Sequence, residues 1–228
     1  MNFLELVKRA RQECGIAGDG PVTTVGQTRE MKRLVDWTAQ AWVDIQNERS
    51  DWDFLRRDAT FRTVAGQQEY EAGQGLDINI IDHKKWRADS FRLYLESAGV
   101  GSQQYLCQSS YTAFRECYMF GSQRLVTAMP RHITVMPDRK LALGSTPDNV
   151  YVVEGEYYRR AQVLIADADI PLMDEDYHML IVYGVMKKYG MFEVANEQIS
   201  AAREERGRLE LRMINEYTPA IEMGGSLI

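Results

Sequence analysis

Three histidines, three cysteines and one acidic string are the groups in this 228-residue chain that could carry chemistry. His83, His132 and His178 are too scattered in sequence to suggest a metal-ligand set. His178 falls on a helical stretch, where a capping or core-edge role is the usual one. His132 precedes Ile133 on a strand and is expected to face solvent or a neighbour. His83-Lys84-Lys85-Trp86 could contact a phosphate, although a solvated loop is the blander reading. Cys14, Cys107 and Cys117 contain no CxxC pair and read as small, buried apolar residues in a reducing cytoplasm. The string Asp167, Asp169, Asp174, Glu175 and Asp176 could attract calcium. An EF-hand loop needs glycine at its sixth position and glutamate at its twelfth. Counted from Asp167, those positions hold Leu172 and His178, so the loop fails.

The motifs GxSxG, HExxH, GxGxxG and the phosphate-binding GxxxxGK[ST] do not occur. Gly15-Ile16-Ala17-Gly18-Asp19-Gly20 is glycine-rich but lacks the terminal Lys-Ser/Thr, so it reads as a loop. The expectation is a protein that is not an enzyme, with no catalytic, cofactor-binding or metal residues and no cofactor. A net charge of −6 is the wrong sign for a duplex-DNA binder, whose affinity comes from lysine and arginine neutralising phosphates. No apolar run approaches the ~20 residues that cross a bilayer. The opening Met1-Asn2-Phe3-Leu4-Glu5 has no basic start or apolar core of a signal peptide. A soluble protein made in the cytoplasm, with no membrane partner, is therefore expected.

Two amphipathic helices are expected to open the chain. Phe3, Leu6, Val7, Ala10 and Cys14 share one face, and Gly15 stops that helix. After a loop, Thr28 is placed to cap a second helix whose stripe is Met31, Leu34, Val35, Thr38, Ala41, Trp42 and Ile45. The pattern then turns to strands at 58–64, 90–96, 131–136, 140–144 and 150–159, with a short helix near 110–120. Pro137-Asp138 and Thr146-Pro147-Asp148-Asn149 supply turns, which suggests an antiparallel meander. Helical spacing returns with Asp174, Glu175 and Asp176 in a first turn, and Lys187 and Lys188 in a last turn before Gly190. Met179–Met186 carries no charge, so this helix should be enclosed on most sides. A fourth helix spans about 192–216.

The expected class is α+β. The N- and C-terminal helix pairs (1–55 and 166–218) form a helical bundle, an antiparallel β region (56–165) is inserted, and 219–228 is an extended tail. Two segments suit partners. On the last helix Arg203, Glu204, Arg206, Arg208, Glu210 and Arg212 mix both signs, and Arg206 falls on the apolar stripe. They form either a solvated face with i,i+4 pairs worth ~0.2–0.5 kcal/mol each, or a subunit interface. In the tail Pro219, Ile221, Met223, Leu227 and Ile228 are separated by glycines and cannot form a core alone. They would fray on an isolated monomer or fill pockets on a partner.

Three stretches resemble the head-to-tail adaptor proteins of tailed bacteriophages, the connector or tail-tubular-A-like group. The first is Met1-Asn2-Phe3-Leu4-Glu5-Leu6, continuing through Val25-Gly26-Gln27 to Glu30–Trp37 and Ala41–Gln46. The second is Val153-Glu154-Gly155-Glu156-Tyr157-Tyr158. The third is Asp167–Pro171 with Tyr177–Tyr183. The resemblance implies a structural protein of the virion neck, a homo-oligomeric ring, dodecameric, under the portal protein. The tail or next neck protein would bind below, and DNA would pass through the lumen without sequence-specific contact. It also implies docking on the portal through helices and the C-terminal segment. Another neck or tail ring component, such as a tail terminator, is the alternative, followed by a phage enzyme or regulator without a recognisable motif.

Overall fold

The computed structural model describes residues 1–217, apart from the side chains of Asn196 and Gln198. In chain order the elements open with α1 (Phe3–Glu13), α2 (Arg29–Glu48), β1 (Arg56–Arg62), β2 (Glu69–Tyr70) and β3 (His83–Leu95). Next come β4 (Gln104–Tyr105), β5 (Cys107–Gln108), α3 (Tyr111–Phe114), β6 (His132–Val135), β7 (Leu141–Gly144) and β8 (Tyr151–Arg159). The chain returns to helix in α4 (Met179–Glu193) and α5 (Asn196–Tyr217). The class is α+β. Two compact units divide the chain, Met1–Leu55 with the chain from Ala161 onward, and Arg56–Arg160.

In the helical unit, Asn2 starts α1 through a reciprocal cap. Its side chain accepts from the Glu5 N–H at 2.9 Å, and the Glu5 carboxylate accepts from the Asn2 N–H at 2.9 Å. Phe3, Leu6, Val7 and Ala10 are buried along the expected face. Thr28 holds the cap position of α2 but makes no side-chain capping bond. Leu34, Ala41, Trp42 and Ile45 are buried, together with the polar Thr38 and Gln46. Burial without partners would cost ~1–3 kcal/mol per polar group, and both are satisfied. Thr38 donates to the Leu34 carbonyl, and Gln46 bridges the Trp42 and Gln162 backbones.

Helix α4 is enclosed, with Leu180, Ile181, Val182 and Val185 buried. It runs through Gly190 rather than ending there. A Cβ on Gly190 would stand 2.8 Å from Ile199, so the glycine admits α5 instead of breaking the helix. Gly184 serves α2 in the same way, where a Cβ would meet that of Ala41 at 3.0 Å. Val194 ends α4 in the left-handed conformation at φ 57°.

The β unit is two four-stranded sheets, β1-β8-β3-β4 and β2-β7-β6-β5. All pairs are antiparallel except β5 with β6. Ala59, Phe61, Trp86, Phe91, Leu93, Val153 and Tyr157 of the first sheet share one core with Tyr70, Ile133, Leu141 and Leu143 of the second. The expected meander is only partly present. Strands β6 and β7 pair, but β8 belongs to the other sheet. Residues 145–150 therefore cross between layers. All four residues of β7 are buried, because Phe114 and Tyr118 cover Gly144 from outside while Leu141 and Leu143 face the core.

Strand β3 starts at His83, earlier than the expected strand at 90–96. A register shift between Arg87 and Arg92 breaks the alternation while keeping Trp86, Phe91 and Leu93 inward. His83, expected in a solvated loop, is consequently buried at the start of that strand. Cys14 is buried as expected, whereas Cys107 on an edge strand and Cys117 on a helical turn are exposed.

Candidate functional site

The three histidines stay apart in role. His178 is fully buried. Its Nδ1 lies 2.8 Å from the Met1 amino group and its Nε2 lies 3.3 Å from the Met173 carbonyl oxygen. Burial, reinforced by the Met1 ammonium, lowers its pKa. His132 Nδ1 lies 2.6 Å from the Tyr118 hydroxyl, which ties it to a neighbour. His83 packs 4.1 Å from the Trp86 ring, and burial with the Arg139 and Arg160 charges pushes it down to about 4. Its Nε2 has no hydrogen-bond partner among the described residues.

The acidic string is accounted for by backbone capping at Asp167, Asp169 and Asp174 and by ion pairs of Glu175 with the Met1 ammonium and of Asp176 with Arg212. Asp167 accepts from the Thr24 N–H at 2.7 Å and hydroxyl at 2.5 Å. Asp169 accepts from the Ile165 and Ala166 N–H groups, and Asp174 from that of Asp176. These bonds stabilise the charged carboxylates and hold Asp167 and Asp169 below the usual carboxylate range. Among the described residues no group of three or more His, Cys, Asp or Glu could hold a metal ion.

Helix α5 separates its charges into two sets. Arg206, midway along, turns inward with 17% side-chain exposure and pairs with Glu48 of α2 and with Glu210. Burial pushes the Glu48 carboxyl up even with Arg206 facing it. Arg203, Arg206 and Glu210 come together around a depression of about 300 Å³ that Glu48 and Lys187 also line. Outside it, Arg208 pairs with Glu204 at 2.6 Å and Glu205 at 3.0 Å. Arg212 lies 3.7 Å from Asp176, with its guanidinium 5.6 Å from the Tyr177 ring. The tail candidates Pro219, Ile221, Met223, Leu227 and Ile228 lie outside the described residues.

Two features of the β unit escaped sequence reasoning. One is a groove of about 570 Å³ across the outer face of the β1-β8-β3-β4 sheet, floored by Asp58, Glu154 and Glu156. The other is an exposed apolar segment carrying Phe120, Leu125 and Val126. Strands were expected at 58–64 and 150–159, but only their pairing brings the acids of the groove together.

The model of the SU10 adaptor protein family matches residues 1–223. The chain belongs to that family. Curated proteins offer no match. Membership in the SU10 adaptor protein family, a phage head-tail adaptor family, makes the chain a structural phage adaptor. Among the described residues, no helix is long and apolar enough to cross a membrane.

Proposed function

We propose that this SU10 adaptor family member forms a ring beneath the phage portal, joins head to tail in the virion neck, and lets the genome pass without gripping it. The supporting observation is the family match across residues 1–223. Its chemistry is assembly rather than catalysis. The ring is a homo-oligomer, a dodecamer, with the portal on one side and the tail or next neck protein on the other. An excess of acidic over basic residues suits a lumen that must not hold exiting duplex DNA.

In this reading α1, α2, α4 and α5 act as one bundle that carries the β unit as an insertion. Contacts of α4 with α1, α2 and α5 support that arrangement. Arg203, Glu204, Arg206, Arg208, Glu210 and Arg212 contribute to the contact between neighbouring copies, their exposed members meeting opposite charges across the ring. Pro219, Ile221, Met223, Leu227 and Ile228 dock on the portal by placing apolar side chains in its pockets. The test is reconstitution with portal-bearing heads lacking this protein. Purified full-length protein should make such heads accept tails, and a chain ending at residue 218 should not. Heads that join tails equally well without the protein would overturn the proposal.

A further inference from the structure

The β unit presents two unlike surfaces on opposite sides, and their chemistry is complementary. Along the sheet β1-β8-β3-β4, Asp58 pairs with Glu156 and Thr60 with Glu154, while Ala59, Phe61, Val153 and Tyr157 alternate into the core. Asp58, Thr60, Glu154 and Glu156 therefore share the outer face. There they line the groove of about 570 Å³. Its arginines are already engaged. Arg87 pairs with Glu156 at 2.9 Å and Asp89 at 3.4 Å, and Arg92 stacks 4.3 Å from the Tyr105 ring. Glu154 is met by a neutral group, the Gln103 amide, at 3.0 Å. Four acids line the groove against two arginines, with Arg56 a third at 3.7 Å from Glu156, so the groove keeps a net negative charge.

The other sheet is covered from outside by the segment after β5. Phe114 and Tyr118 lie over Gly144, Tyr118 contacts His132, and Thr134 donates to the Ser109 carbonyl. Gly144 pairs with His132, and Thr134 with Ala142, so these contacts are all on the face away from the shared core. From that cover residues 120–127 project into solvent, with Phe120 53% and Leu125 83% exposed. From residue 97 to 137 the chain has one acid, Glu116, against Arg115, Arg124 and Arg131. This is a basic, apolar stretch within a chain of net charge −6. Arg115 lies 4.9 Å from the Phe120 ring, which keeps charge and apolar surface together.

We propose that segment 115–127 of one copy docks in the Asp58–Glu154–Glu156 groove of a second copy. The inference rests on the ring reading above and supplies one of its contacts. Charge complementarity selects the occupant, since the groove is acidic and the segment basic. Their placement on opposite faces makes the contact head-to-tail, the kind that closes rings when the rotation permits. Unlike a two-fold contact, it leaves each open chain of copies with one free segment at one end and one free groove at the other until closure.

Charge reversal in the full-length protein tests this, with ring formation on purified portal read by sedimentation and electron microscopy. Asp58→Arg with Glu154→Arg, or Arg115→Glu with Arg124→Glu, should each reduce rings more than about tenfold, because like charges then face each other. All four changes in one chain should restore rings. So should an equimolar mixture of the two reversed proteins, in which every segment meets a groove of opposite sign. Rings that tolerate either reversal, or losses that neither the combination nor the mixture repairs, would overturn this contact and leave the adaptor reading standing. Wild-type protein that forms no ring on portal would overturn both.

Discussion

His83 begins β3 with its imidazole against Trp86 and the Arg139 and Arg160 charges nearby. Its pKa falls from 6.5 to about 4, so the folded protein holds the ring neutral while the unfolded chain takes up a proton first as pH drops. Stability from this residue is fully present above the unfolded value and is lost as pH falls through 6.5 toward 4. At about 1.4 kcal/mol per pH unit the loss is at most about 3.5 kcal/mol. Urea denaturation at pH 7 and pH 4.5 should show a smaller loss in His83→Phe than in the parent. Equal losses in the two proteins would mean that His83 does not titrate in this way. Arg206 shows the other use of a charge, since its position on an apolar stripe is explained by Glu48 and Glu210 within the same unit.

Elements are held in register by small residues at close approaches. A Cβ on Gly155 would lie 2.3 Å from the Phe91 ring, so Gly155→Ala should cost about 1–3 kcal/mol in chemical denaturation, as overpacking does. Phe91→Leu in the same chain should recover part of that loss, and independent, additive effects would contradict the contact. Val194 is 78% exposed and left-handed, a conformation costly for a β-branched residue. Val194→Gly should therefore raise stability by about 1 kcal/mol, visible as a higher denaturation midpoint. Sequence periodicity located the stripes of α1 and α2 because each buries one face. It also located β6, β7 and β8, where short apolar runs stand between turns. It failed wherever tertiary contact decides. Gly190 reads as a stop until Ile199 packs on it, and β8 reads as the partner of β7 until the other sheet claims it. The acid groove was illegible for the same reason, since Asp58 and Glu154 are neighbours only through strand pairing.

At the scale of the whole molecule, family membership covers almost the entire chain, so both compact units belong to the adaptor. Charge is distributed unevenly along it. Residues 97–137 carry three arginines against one acid, although the whole chain has a net charge of −6. Self-recognition and portal recognition are separate properties, and the proposed role needs both. The most direct measurement is electron microscopy of the purified full-length protein mixed with purified portal. The expected result is a second ring stacked on one end of each portal, with the same rotational order in every particle. Portals indistinguishable from those imaged alone, at protein concentrations well above the number of portal subunits, would contradict the account.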